Sequence, residues 1–244
     1  MNELVLSLFP GIGILDKGFE EAGFCIVRGP DLIWGGDIRK FHAPVDVFHG
    51  VIGGPPCQEF SALARIVRHR GYKPKYGNLI PEFVRVVREA APVWFVMENV
   101  ITAPIPEVDG YIVDPTILDN RWLGGKQRRK HRFSFGSRHG LRLKYQTVLM
   151  EHLKIEPRVL ANGSVMLVSD GNRKHLLRKT TSRSWAELRR SLELQGLPGD
   201  YFGDLPYRVE AAHSLIGNAV ALPMARELAR AVRQALDADT AEEA

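Results

Sequence analysis

Cys57 stands behind two prolines in the stretch VIGGPPCQEF, residues 51–60, and is one of two cysteines in a chain of 244 residues. Pro55 and Pro56 fix two backbone angles and bias the residue ahead of them to an extended form, so this loop is stiff. The apolar lead-in reads as the end of a strand, and open parallel sheets take their ligands beyond such ends. A thiol mounted rigidly there suits nucleophilic attack, whereas a filler cysteine needs no such mounting. Cys25, inside the apolar run FCIVR, fits the packed and inert alternative. Further along, VMENV puts Glu98 and Asn99 where another buried strand ends. Partial desolvation there favours the protonated carboxyl, which lets Glu98 hold or donate a proton near neutrality. Either residue alone could be a structural cap. Beside Cys57 they read as a thiol with a protonatable acid.

A third feature is FPGIG, residues 9–13, between an apolar run and an amphipathic one. Gly11 and Gly13 allow the backbone to approach a ligand closely, and the following helix offers unpaired N–H groups. A dinucleotide fingerprint would require a third glycine at the position of Asp16, so a nicotinamide site is disfavoured. Asp31 follows the second apolar run, about where an acid accepts hydrogen bonds from a ribose. Together these point to a nucleoside-like ligand. Asp37, in GGDIRKF, is either a second polar contact for it or a helix cap.

The elements that must position these residues alternate. LVLSLF (4–9) is a buried parallel strand by length and continuity, and an amphipathic helix follows its glycine turn. FCIVR and VDVFHGVIGG contain the next two strands, IPEFVRVVREAAP is a helix bounded by Pro81 and Pro92, and VWFVMEN is another buried strand. Such alternation predicts an α/β fold with a mostly parallel sheet and right-handed crossovers. From residue 137 to about 180 the segments are short, poorly periodic and rich in Arg, Lys, Gly and Asn, which suggests a small module of strands and loops. SWAELRRSLELQG resumes with a helix stopping at Gly196, and LPMARELARAVRQALDA is a final amphipathic helix.

Composition narrows the class. Two cysteines build no disulfide framework, and neither a CxxC nor a His-rich cluster argues for a structural metal. The N-terminal apolar run lacks a basic lead and is ended early by proline and glycine, unlike a signal peptide or a membrane span. A reducing, intracellular setting fits. Net charge is +5, yet Asp237, Asp239, Glu242 and Glu243 crowd the tail, so the remainder is near +9. Between Arg121 and Lys144 stand nine Lys or Arg without an acid, and Arg65 to Lys75 holds five more. Two acid-free basic runs favour a polyanionic partner, most simply nucleic acid.

FPGIG, GGPPCQ, ENV, QRRKHRF and GNAV occur in the order seen in DNA (cytosine-5) methyltransferases, and the chain resembles that family over 4–136 and 175–235. The resemblance implies a Rossmann-like methyltransferase sheet with helices on both faces plus a small β-rich recognition module. It divides the chain into a catalytic, cofactor-binding domain (1–136 with 210–244) and a target-recognition module (137–209). S-adenosylmethionine is the implied cofactor and double-stranded DNA the implied partner. In the family the cysteine matching Cys57 adds to carbon 6 of a flipped-out cytosine, and the acid matching Glu98 contacts ring nitrogen 3 and the exocyclic amine. Arg129 would hold the flipped base or its phosphates with Gln127 in support, and Pro56, Gln58 and Asn99 would lie against the substrate. The family has a second arginine where this chain has His131 followed by Arg132, and either could take that role. Phe9, Gly11 and Gly13 match the methionine and adenine side of the cofactor site, Asp31 the ribose acid, Asp37 and Ile38 the adenine edge. Leu79, Asn218 and Val220 match the segments that complete the pocket, although Ala221 replaces a usual proline. ALARIVRHRGYKPKYGN would be a basic lid closing over DNA. The short module predicts a short or loosely read target. Methylation of RNA, or DNA binding without activity, are the alternatives. The expected setting is the cytoplasm of a bacterial or phage-infected cell, free of membrane, with a monomer as the default assembly.

Overall fold

The computed structural model describes residues 3–60, 77–148, 155–169, 176–179, 184–203 and 208–242. The first strand, β1 (Leu4–Leu8), runs into helix α1 (Ile14–Glu21), and β2 (Cys25–Arg28), β3 (Gly50–Gly53), α2 (Ile80–Ala90) and β4 (Trp94–Asn99) follow. Two further strands, β5 (Ile112–Asp119) and β6 (Lys130–Ser137), complete a six-stranded sheet of order β2-β1-β3-β4-β6-β5. Its first four strands are parallel, while β6 runs antiparallel to both β4 and β5. Pro115 within β5 is tolerated because β5 is an edge, where a missing N–H breaks no interior ladder.

Strands in the middle of the sheet are apolar on both faces, and each face has its own cover. One face carries Val5, Ile52, Trp94, Val96, Phe133 and Phe135 against α1 and the final helix, α5 (Leu222–Glu242). There Phe19 stacks on Trp94 with ring centroids 6.0 Å apart. A Cβ on Gly18 would stand 2.5 Å from the Ala225 backbone, so α1 and α5 touch because glycine leaves the room. The other face packs Leu6, Leu8, Val51, Phe95 and Met97 under Phe83, Val86 and Val87 of α2. Fully burying side chains of this size contributes roughly 1.5–3 kcal/mol each. Helix α2 stops at Ala91, whose φ of 47 is a left-handed cap, one residue before Pro92.

The stretch after Ser137 forms a three-stranded antiparallel sheet of β7 (Ile155–Val159), β8 (Val165–Ser169) and β9 (Leu176–Lys179), then α3 (Trp185–Leu194). Helix α4 (Val209–Asn218) was not expected from the sequence; it carries the GN of GNAV at its C-terminus. Val159, Val165, Leu188 and Leu192 share a continuous apolar cluster with Ile216, Val220 and the α1/α5 face of the large sheet.

Cys25 departs from expectation. It is exposed, because β2 is the outer strand of the sheet and pairs with β1 alone. An apolar run marks a strand without saying whether a neighbour covers it. Among the described residues no helix is long and apolar enough to cross a membrane.

Candidate active site

The order β2-β1-β3 makes β1 and β3 the place where the chain reverses its direction of travel across the sheet, and parallel sheets bind ligands beyond the carboxyl ends of the strands at that point. Phe9–Gly13 follows β1, Gly54–Cys57 follows β3, and Glu98 lies at the end of β4. All three border one cavity of about 520 Å³. Phe9 holds a φ of 55, unusual for a bulky residue, and its carbonyl-side neighbours turn sharply so that Gly11 N–H donates to Asp31 Oδ2 at 2.9 Å. Asp31 Oδ1 accepts from Ile33 N–H, and the Trp34 indole donates to the Gly11 carbonyl. The far end of the chain closes this corner, for Tyr201 donates its hydroxyl to the Ile12 carbonyl at 2.8 Å. Asp16 is buried on the cavity wall, accepting from Ser7 and Arg28; burial pushes its carboxyl up against those two donors.

Cys57 is partly exposed on the wall. Burial pushes its thiol up, the Glu98 carboxylate adds to that, and the Arg129 guanidinium opposes both. A Cβ on Gly54 would lie 2.8 Å from Glu98 Oε2, so the backbone leading to Cys57 passes Glu98 as closely as it does because that residue is glycine. Asn99 points to the opposite face of β4, where it is buried and donates to the Pro55 carbonyl at 3.0 Å. It stands off the cavity wall and holds the double-proline loop instead.

The period of two along β6 decides between His131 and Arg132. Glu98 pairs in register with Phe133, so His131, two residues before Phe133, shares the face of Glu98 and contacts its carboxylate through Nδ1. Arg132 lies opposite Asn99, on the other face, and donates to the carbonyls of Ala103 and Ile101. His131 lines the cavity and Arg132 does not.

Arg129 also lines the cavity, with its guanidinium donating to the Ala219 carbonyl at 2.7 Å and the Gly217 carbonyl at 3.0 Å. Its Nε is buried and without a hydrogen-bond partner. Gln127 is fully buried away from the wall. Its amide donates to Leu194 and Gln195 and accepts from Val159 N–H at 2.9 Å, while Gln195 donates to the Ile216 carbonyl at 2.8 Å. These two amides join the turn ahead of β6 to β7, α3 and α4, which is a structural task. Gln127→Ala leaves several buried groups unpaired and is expected to cost about 2–4 kcal/mol in urea unfolding, with cofactor affinity unchanged.

Of the other expected residues, Gly11, Asp31, Ile38, Leu79, Asn218, Val220, Pro56 and Gln58 border the cavity. Gly13 does not: at φ 77 it caps α1, and a Cβ there would meet the Arg28 guanidinium at 2.6 Å. Asp37 is a cap too, accepting from Arg39 N–H and from the Arg39 guanidinium. Sequence reasoning missed Trp34, Tyr201 and Asp16 as parts of this site. Asp16 carried a signal, since a charged residue stood on an otherwise apolar helix face, whereas Tyr201 carried none.

Residues 4–103 match the family model for C-5 cytosine-specific DNA methylases. Through this stretch the chain is similar to that family. Relatives include the Type II methyltransferase M.HgiDI of Herpetosiphon aurantiacus, 31% identical over 178 residues that make up 61% of this chain and 56% of that protein. The Type II methyltransferase M.NgoPII of Neisseria gonorrhoeae is 32% identical over 175 residues, 58% of this chain and 50% of its own. The chain thus spans about half the length of these relatives. In fold it is similar to a solved DNMT2 of Spodoptera frugiperda, with a TM-score of 0.62 at 13% identity, covering 95% of this chain and 100% of that one. Within the C-5 cytosine methylase stretch lie Cys57, Glu98 and the glycine turn; His131, Arg129 and the segment after α4 lie outside it.

The cavity's donor set suits S-adenosylmethionine. Phe9, Ile38, Leu79 and Val220 line it with apolar side chains, Asp31 borders the same space, and the β1 turn presents backbone. A volume of about 520 Å³ lies within the range of sites for ligands of that size.

Proposed function

We propose that this protein transfers a methyl group from S-adenosylmethionine to carbon 5 of a cytosine turned out of duplex DNA, through a covalent adduct of Cys57. Support comes from one juxtaposition: Cys57, Glu98 and the β1 glycine turn border a single cavity. Carbon 5 of cytosine is too weak a nucleophile to take a methyl group unaided. Addition of the Cys57 thiolate to carbon 6 turns the ring into an enamine, and Glu98 holds ring nitrogen 3 and the exocyclic amine as charge develops there. The cofactor supplies an electrophilic methyl. Carbon 5 then gives its proton to water, the carbon–sulfur bond breaks, and Cys57 departs as the thiolate that added. In the free protein the thiol is held up by burial and by the carboxylate, so protonating Glu98 or pairing it with the base eases formation of the thiolate. Turning out the base costs a few kcal/mol, which pocket contacts offset.

We assign residues 1–136 and 210–244 to catalysis and cofactor binding and 137–209 to target reading. The strands β7 to β9 have five, five and four residues, so few side chains can reach base edges and the target is short or loosely read. The basic lid expected after Cys57 lies outside the described residues, apart from Gly77 and Asn78. Even two phosphate contacts weaken binding roughly tenfold between about 50 and about 200 mM salt, so DNA affinity is expected to fall at least that far. Filter binding across that range checks it.

The deciding experiment offers duplex DNA and RNA side by side with radiolabelled S-adenosylmethionine, then duplex DNA carrying 5-fluorocytosine. Methyl transfer to DNA and a denaturation-resistant adduct are expected. Labelling of RNA alone, or DNA binding without either product, would overturn the proposal.

A further inference from the structure

His131 is 7% exposed and shares the sheet face of Glu98 through the β4–β6 register, with Nδ1 against Glu98 Oε1. Glu98 Oε2 points instead toward Gly54, the side from which the Cys57 loop departs. Arg129, the nearby permanent cation on the wall, has its terminal N–H groups on the Gly217 and Ala219 carbonyls. Arg132, the adjacent arginine, is on the opposite face. The remaining titratable or charged side chains on the cavity wall are Cys57, Lys130, Asp16 and Asp31, and Lys130 sits over the Trp122 ring at 5.5 Å. On β5, the register partner of His131 is the apolar Leu118.

We infer that His131 is the positioning residue for Glu98: it holds Oε1 and so keeps Oε2 aimed toward the side from which the Cys57 loop departs. This rests on the proposed methyl transfer. As the Cys57 sulfur bonds to carbon 6, ring nitrogen 3 takes a proton from Glu98 Oε2, and Oε1 of the carboxylate left behind keeps its contact with His131 Nδ1. When carbon 5 is deprotonated and the carbon–sulfur bond breaks, nitrogen 3 gives its proton back to the pair, so no net proton is consumed.

The test uses full-length protein with Cys25→Ser, which removes the exposed second thiol. His131→Ala removes the contact with Glu98 Oε1 and is expected to lower kcat by about 10²-fold. His131→Gln keeps a hydrogen-bonding side chain there and is expected to recover activity relative to His131→Ala. Iodoacetamide labelling of Cys57 in the absence of DNA and cofactor gives an independent readout. At pH 8 His131→Arg should label faster than His131→Gln, since a permanent cation offsets the Glu98 charge that holds the thiol up. Equal methylation in the parent, His131→Ala and His131→Gln, or equal labelling of His131→Arg and His131→Gln, would overturn the inference. Should His131→Ala fail to fold, equal labelling of His131→Arg and His131→Gln would overturn it alone. Labelling that differs as expected in proteins that methylate nothing sinks the proposed function while leaving the histidine–carboxylate pair standing.

Discussion

Cys57→Ser is expected to abolish methyl transfer and the 5-fluorocytosine adduct, on the order of 10⁴-fold or more, while S-adenosylmethionine binds within about twofold of normal. The asymmetry follows from where the groups sit. The thiol comes from the loop after β3 and the β1 turn comes from a neighbouring strand, so the two ends of the cavity are built from separate backbone. A serine hydroxyl fills nearly the same space but has no accessible anion near neutrality. Rapid-quench methylation assays and calorimetric cofactor titration check the two halves. If both functions failed together, Cys57 would be a packing residue and the proposed chemistry would fall.

Glu98→Gln is expected to act in opposite directions on two measurements. The amide keeps the shape of the carboxyl and its place against Gly54, but cannot exchange a proton with ring nitrogen 3, so kcat should fall by about 10²–10³-fold. In the free protein, however, the substitution removes a negative charge that holds the Cys57 thiol up. More thiolate then exists at pH 8, and alkylation of Cys57 should accelerate. Nucleophilicity falls as a thiol becomes more acidic, which limits the gain to about two- to fivefold. A slower alkylation would mean that Glu98 does not act on the sulfur through its charge.

Much of this arrangement is written locally. Continuous apolar runs mark β1, β3 and β4, the glycine turn and double proline mark the loops that follow two of them, and Glu98 ends the third. Each such signal is a property of a few adjacent residues, because backbone torsions and side-chain alternation are set within that range. The alternation of strand and helix then implies the parallel sheet and so brings three separate loops to one edge. Cys57, Glu98 and Gly11 were found in this way.

What the local pattern could not decide depends on partners. QRRKHRF contains three candidates within four positions, and only the β4–β6 register puts His131 on the cavity face and Arg132 on the reverse. Gln127 and Asn99 belong to motifs, yet burial turns both into struts, one joining the small sheet to α3 and α4, the other holding Pro55. Cys25 lies in an apolar strand and is exposed because that strand has a single neighbour. Tyr201 reaches Ile12 across 189 positions of chain. The sequence by itself determined the strands, the turns and the thiol–acid pair, since these follow from short-range sterics and periodicity. Tertiary structure alone decided which face, which edge and which distant hydroxyl complete the site, since those depend on contacts between segments that do not constrain one another locally.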